Sequence, residues 1–258
     1  MSLCANCVKG YLYEGTPTGK WEKIGGVDCY VATPDPHKHL WPHKVVLYLP
    51  DVFGAQLINS QLLADNFASQ GFKTIVVDYF GGDPIPADGL DPGSTFDTGA
   101  WFARHPAETA RPYLDSVISA LKKQGIKELG GTGYCYGGRM VFDLAFANAI
   151  QVAVASHPSL LQNPTDLNRY LNESKAPLLI NSAEFDTSFT PEFQTKADEL
   201  LGGGKFPPGY LRTFWPGCSH GFAVRGDLSD PLVKAGQEGA FKAAVDWFRA
   251  YPKATTKL

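Results

Sequence analysis

The chain has 258 residues, 44% of them hydrophobic, with a formal net charge of −3. That length supports one sizeable core, and the charge balance, with no long Lys/Arg run, argues against a nucleic-acid partner. Five cysteines at irregular spacing make no disulfide framework, and no stretch nears the roughly 18 apolar residues of a membrane span, so a protein of a reducing, cytoplasmic compartment is expected.

A single domain over 1–258 is expected, with 1–20 as an N-terminal extension. In chain order, strands are predicted at 29–33 and, more strongly, at 45–49, where Pro50 ends the run. A helix follows at 59–70, with Asn59 as its N-cap and Leu62, Leu63 and Phe67 on its apolar face. Next come a strand at 73–78, a Gly/Pro/Asp-rich loop at 80–92 and a helix at 107–124 whose regular part starts near Pro112. Further strands are expected at 129–134, 152–156, 177–182 and 211–215. Helices are expected at 139–148, 191–201 and 231–251. Strands alternating with helices predict an α/β fold, a mostly parallel, doubly wound sheet with helices on both faces. Ligands of such sheets bind beyond the carboxyl ends of the strands, so chemistry is sought there.

Past the strand at 129–134 stands Gly133-Tyr134-Cys135-Tyr136-Gly137-Gly138. This is the G-x-C-x-G form of a nucleophile elbow. The glycines permit a strained strand-to-helix turn that lifts the side chain between them above the sheet. The helix N-terminus beneath the sulfur favours thiolate. A glycine-rich turn around an inert buried cysteine would share the pattern. The acid and base of such a site follow later strands, in that order. Asp186 follows the strand at 177–182, with Glu184 as its competitor. His220, between Gly217 and Gly221, follows the strand at 211–215. The base takes the thiol proton and the acid orients the imidazole.

These residues, with Ser219-His220-Gly221-Phe222-Ala223, Pro50-Asp51-Val52-Phe53-Gly54 and the early Val27-Asp28-Cys29-Tyr30-Val31-Ala32-Thr33-Pro34, resemble the dienelactone hydrolase family of α/β-hydrolases. The likeness spans about 25–250, and the N-terminal segment resembles the fungal branch. The resemblance implies hydrolysis of a lactone or enol ester by a Cys135-His220-Asp186 triad through a thiol acyl-enzyme. It also implies an oxyanion hole from the backbone N–H groups of Val52 and Tyr136. Two departures stand out. Asp51 occupies the place of a glutamate that reaches the thiol in bacterial members. Of the two arginines that bind a substrate carboxylate there, one is absent after Tyr79 and the other is displaced to Arg225. A substrate larger or less charged than a dianionic dienelactone is therefore expected.

Asp51, Trp101, Arg139, Phe222 and Arg225 are the candidate substrate-binding residues, with Arg104, His105, His157 and Tyr134 near the same loops. Cys4 and Cys7 form a C-x-x-C without a second ligand pair, and His37, His39 and His43 crowd one loop. No metal and no cofactor is expected from either. Cys218 is weighed as an oxidation partner of Cys135. A monomer or homodimer acting on a small-molecule ester or lactone is expected. Two alternatives stay open: a non-hydrolytic isomerase, cyclase or lyase on an aromatic or polyketide-like intermediate, and a non-catalytic redox-sensing or binding protein.

Overall fold

The computed structural model describes residues 11–37 and 44–251. Cys4, Cys7, His39 and His43 lie outside the described residues. Eight strands form one sheet: β1 (Lys20–Ile24), β2 (Val27–Ala32), β3 (Lys44–Leu49), β4 (Thr74–Val77), β5 (Glu128–Tyr134), β6 (Val152–Ser156), β7 (Leu178–Phe185) and β8 (Tyr210–Ser219). Their order is β1-β2-β4-β3-β5-β6-β7-β8. β1 and β2 pair antiparallel, as do β2 and β4, and every later pairing is parallel. The inner strands read as nearly unbroken apolar runs, VVLYL in β3, TIVV in β4 and VAVAS in β6, and are buried throughout. Parallel strands covered by helices on both faces need this composition.

The described helices are α1 (Ile58–Ser69), α2 (Thr98–Arg104), α3 (Ala107–Lys123), α4 (Tyr136–Phe146), α5 (Thr165–Glu173), α6 (Pro191–Leu201), α7 (Phe222–Arg225) and α8 (Pro231–Ala250). Phe67 of α1 meets Phe241 and Phe248 of α8 at ring separations of 4.8 and 6.1 Å, which joins these two helices on one face. α3, α4 and α5 pack in series on the other. Among the described residues, no helix is long and apolar enough to cross a membrane.

The chain winds outward from β3 to β4 and then returns past β3 to β5. The switch point therefore lies between the ends of β3 and β5, where Leu49 pairs with Gly133. Ligand crevices open at such points. The residues after β3 (Pro50, Asp51, Val52) and after β5 (Cys135, Tyr136) face one another across it.

Several boundaries differ from the sequence reading. β1 was not expected: four of its five residues are exposed, so no apolar period marks it, and the Gly25-Gly26 turn sets its pairing with β2. α2, α5 and α7 were also missed; each is short. α4 begins at Tyr136 and not at Arg139, because Cys135 is itself the residue before its first turn. Pro112 lies inside α3, which starts at Ala107. Asn59 is not an N-cap. Leu57 holds that position, and Asn59 is buried with its amide turned to other segments.

Candidate active site

Cys135 has φ 52° and ψ −112°, a left-handed backbone that costs a non-glycine residue about 1–3 kcal/mol. Its surroundings hold it there. The Cys135 N–H donates to the Ser156 carbonyl at 3.2 Å, and the Cys135 carbonyl accepts from the N–H groups of Gly138 (2.9 Å) and Ser159 (3.0 Å). Two glycines make the turn possible. A Cβ on Gly137 would lie 1.9 Å from the Leu49 carbonyl oxygen, and one on Gly133 would lie 2.1 Å from the Gly137 oxygen. The first turn of α4 is thereby pressed onto the end of β3.

His220 follows β8 and Asp186 follows β7, each by one residue. Both strands run longer than predicted, to Ser219 and Phe185, and the added residues carry Asp186 and His220 to the sheet's edge. The His220 backbone N–H donates to the Phe185 carbonyl at 3.0 Å, which binds the two loops together. His220 Nδ1 donates to Asp186 Oδ2 at 2.9 Å. Asp186 Oδ1 accepts from the N–H groups of Ser188 (2.8 Å) and Phe189 (3.0 Å). Glu184 takes another part, accepting from the Gly217 N–H at 2.7 Å and bracing the histidine loop.

The electrostatics follow from burial and these partners. Burial alone would push the Cys135 thiol up, but the charge of His220 and its hydrogen bonding prevail, and the pKa falls below its usual value. Burial would depress His220, yet the Cys135 sulfur and Asp186 raise it to about 10. Burial likewise opposes ionisation of Asp186, and His220 outweighs it, so the carboxyl is lowered. The arrangement favours a thiolate–imidazolium pair steadied by a carboxylate.

Two backbone N–H groups, of Val52 after β3 and Tyr136 after Cys135, flank the crevice between these strands. The Asp51 carbonyl accepts from the Gly54 N–H at 3.0 Å, so the trans peptide that follows turns the Val52 N–H the other way. The Cys135 carbonyl is held by Gly138 and Ser159, which turns the Tyr136 N–H in the opposite direction. Among the described residues neither N–H has an acceptor.

Asp51 is fully buried, and its hydrogen bonds go to the Phe53 N–H (3.1 Å) and Arg225 Nε (3.2 Å). Burial raises its pKa against the pull of Arg225. The shorter side chain steadies the loop after β3 and clamps it to α7. Arg225 is buried as well, with its guanidinium 5.0 Å over the Phe53 ring. Phe222 is buried beside His157 at 5.5 Å. A cavity of about 220 Å³ borders His220 and is lined by Tyr11, Ser219, Phe222, Arg225 and Val233 among others.

Two sequence-predicted residues are not brought to the sulfur. Trp101 is fully buried, donates to the Asp83 carbonyl at 2.7 Å and stacks on His105 at 4.5 Å. It stands behind Tyr136, with ring centroids 6.3 Å apart, and packs rather than lines the cleft. Arg139 pairs with Asp143 and with Asp166 (2.6 Å) and borders a separate groove of about 760 Å³ between α3, α4 and α5. The sulfur of Cys218 faces the Leu232 carbonyl at 3.8 Å and lies against Gly236 of α8, and burial pushes that thiol up to about 12. It is not placed as a partner of Cys135.

Ser159 and the contacts of Asn59 escaped sequence reasoning, whereas His157 was expected near these loops. Ser159 Oγ is 3.3 Å from Cys135 Sγ and 3.3 Å from His220 Nε2. His157 is fully buried 5.0 Å from the His220 ring, with neither ring nitrogen bonded among the described residues, and burial drives its pKa well down, so it is neutral. Asn59 ties the N-terminal segment beside the cavity, accepting from the Tyr13 N–H (2.9 Å) and donating to the carbonyls of Tyr11 (2.6 Å) and Val224 (2.9 Å). Ser159, like His157, lies just past the end of β6, where an α/β sheet places chemistry, but a lone serine there is no pointer by itself.

Residues 27–252 match the model of the dienelactone hydrolase family. Hydrolase pyvD of Aspergillus violaceofuscus is 32% identical over 248 residues, covering 96% of each chain. Dienlactone hydrolase 1 of Gibberella moniliformis is 33% identical over 251 residues, covering 95% of this chain and 92% of that one. Among solved structures, a candidate dienelactone hydrolase from Klebsiella pneumoniae superposes with a TM-score of 0.72 at 20% identity, covering 91% of this chain and 99% of that one, which supports the fold. With a match over so much of its length, the chain belongs to the dienelactone hydrolase family and is an ester or lactone hydrolase.

Proposed function

We propose that the chain hydrolyses a carboxylic ester or lactone through a thiol acyl-enzyme on Cys135. The observation that carries this reading is the imidazole of His220, bonded to Asp186 on one nitrogen and facing the Cys135–Ser159 pair with the other. The thiolate attacks the carbonyl carbon. The N–H groups of Val52 and Tyr136 receive the oxyanion, each contributing on the order of 3 kcal/mol. Imidazolium protonates the leaving oxygen, and the thioester forms as the C–O bond breaks.

Acylation then changes the base. The sulfur's charge is foremost among the influences holding His220 up to about 10, and it disappears in the thioester. Burial then acts against less opposition, and the imidazole loses its proton more readily. A neutral His220 takes a proton from water as hydroxide adds to the thioester, and the C–S bond then breaks to release the carboxylic acid and restore the thiolate beside imidazolium. Asp186 holds the tautomer throughout.

The substrate is a small molecule with little negative charge. The arginine nearest the site, Arg225, is engaged by Asp51, and the second arginine expected of dianion-binding members has no counterpart after Tyr79, where Phe80 stands. Brief mixing with p-nitrophenyl acetate followed by intact-mass measurement tests the reading. An acetyl adduct and nitrophenolate burst in the wild type, both lost in Cys135→Ala, are expected. A burst that survives the substitution in folded protein would overturn it.

A further inference from the structure

Ser159 sits in the loop after β6, between His157 (φ 39°) and Leu160 (φ 62°), two non-glycine residues in the left-handed region. The loop is fastened to the elbow by the Ser159 N–H, which donates to the Cys135 carbonyl at 3.0 Å. Its Oγ then falls 3.3 Å from both reacting atoms, Cys135 Sγ and His220 Nε2. The imidazole acts on the sulfur through its charge and its hydrogen bonding, and the hydroxyl lies within hydrogen-bonding distance of both.

A hydroxyl offers one donor and two acceptor positions and can rotate. With a neutral pair, it accepts from the thiol and donates to Nε2. With the ion pair, imidazolium donates to Oγ and the hydroxyl donates to the thiolate. Both protonation states of the Cys–His couple are thus hydrogen-bonded by the same side chain, and removing it takes one hydrogen bond from each state in a buried site, leaving the His220–Cys135 coupling alone.

We propose that Ser159 is a catalytic residue of this site, carrying the proton between Cys135 and His220. In the step, the S–H bond breaks as a new O–H bond forms at Ser159. The original O–H bond breaks as an N–H bond forms at Nε2. Thiolate and imidazolium result, and the hydroxyl is regenerated. The proposal rests on Cys135 as the nucleophile. A nucleophilic role for Ser159 itself fits less well, because the two free N–H groups belong to Tyr136, next to Cys135, and to the loop after β3.

The test compares wild type, Cys135→Ala, Ser159→Ala and Ser159→Thr. The readouts are the p-nitrophenyl acetate burst and the pH dependence of iodoacetamide alkylation of Cys135. Ser159→Ala is expected to slow acylation by at least about tenfold, below the ~10²-fold scale of full acid–base loss because the charge coupling remains. It should also move the alkylation midpoint to higher pH. Ser159→Thr, which retains the hydroxyl, should recover most of both. If Ser159→Ala does not fold, Ser159→Gly removes the same hydroxyl without a Cβ to place. A wild-type burst and midpoint in the folded hydroxyl-less variant would overturn the relay alone, as would an acetyl group mapped to residue 159. A burst retained in Cys135→Ala would overturn the nucleophile reading instead.

Discussion

Burial, a carboxylate and a thiolate pull His220 in different directions, and the charges win. The same balance seen from the sulfur makes His220 the chief influence that lowers the Cys135 thiol. The sign of a substitution follows. In His220→Ala the burial of Cys135 is no longer opposed by its main counter-charge, so the thiol pKa rises. A wild-type thiol below its usual value near 9 is alkylated readily at neutral pH and loses reactivity only as pH falls through that lowered pKa. The variant's alkylation midpoint is expected above the wild-type one by at least about one unit, roughly 1.4 kcal/mol of lost ion pairing. Iodoacetamide kinetics from pH 5 to 10 measure it, and coincident profiles would contradict the electrostatic account. The convergence of Cys135, Asp186 and His220 was expected from sequence because a thiol, a carboxylate and an imidazole each stood just past a strand. Ser159 was not, because a lone serine in a loop carries no spacing signal until β6 is laid beside β5.

The elements that frame the cleft are fastened by a few buried polar side chains. Asp51 joins the loop after β3 to α7 through Arg225, and Asn59 joins α1 both to α7 and to the N-terminal segment at Tyr11 and Tyr13. Tyr11 forms part of the wall of the cavity beside His220. Asn59→Ala removes all three of these bonds and leaves the Val224 carbonyl inside without its donor. A loss of about 1–3 kcal/mol is expected by urea unfolding. Hydrogen exchange at Tyr13 should accelerate more than exchange in β6. Equal acceleration at both would mean that the asparagine supports the whole fold rather than the segment. Asn59 was misread as an N-cap from its residue type, since asparagine favours both cap and buried network and only its neighbours distinguish the two. Helix α6, by contrast, was placed at its observed limits, because Thr190 and Pro191 are local start signals: the Thr190 hydroxyl accepts from the Phe193 N–H at 3.3 Å.

For the molecule as a whole, the proposed site depends on the crossing between the two halves of the sheet. β3 and β5 come together only after the chain has passed through β4 and α3, and α4 must then approach the end of β3 so closely that a Cβ at Gly137 would meet the Leu49 carbonyl. Gly137→Ala would place a methyl group where the Leu49 oxygen sits. Backbone must shift on one side, and a destabilisation of at least about 3 kcal/mol is expected in urea melts, with the burst on p-nitrophenyl acetate lost even in the folded fraction. A Gly137→Ala protein of wild-type stability would contradict the close approach.

Local sequence was enough for the alternation of strands and helices, the elbow and the order in which Cys135, Asp186 and His220 follow their strands, because each depends on residue type, period and position past a strand. The limits of β7 and β8, the edge strand β1, the Asp51–Arg225 clamp and the Ser159 bridge arise from contacts between residues far apart in the chain. β1 joins Trp21 to Tyr30 across a hairpin, Asp51 meets a residue 174 positions away, and Ser159 lies between residues 24 and 61 positions distant. Such contacts leave no periodic trace in sequence, since one polar residue at either end is compatible with many partners until packing selects one. The same holds for Trp101 and Arg139: each has a side chain suited to a ligand, and the neighbours assembled around it, His105 and Asp83 for one, Asp143 and Asp166 for the other, occupy it instead.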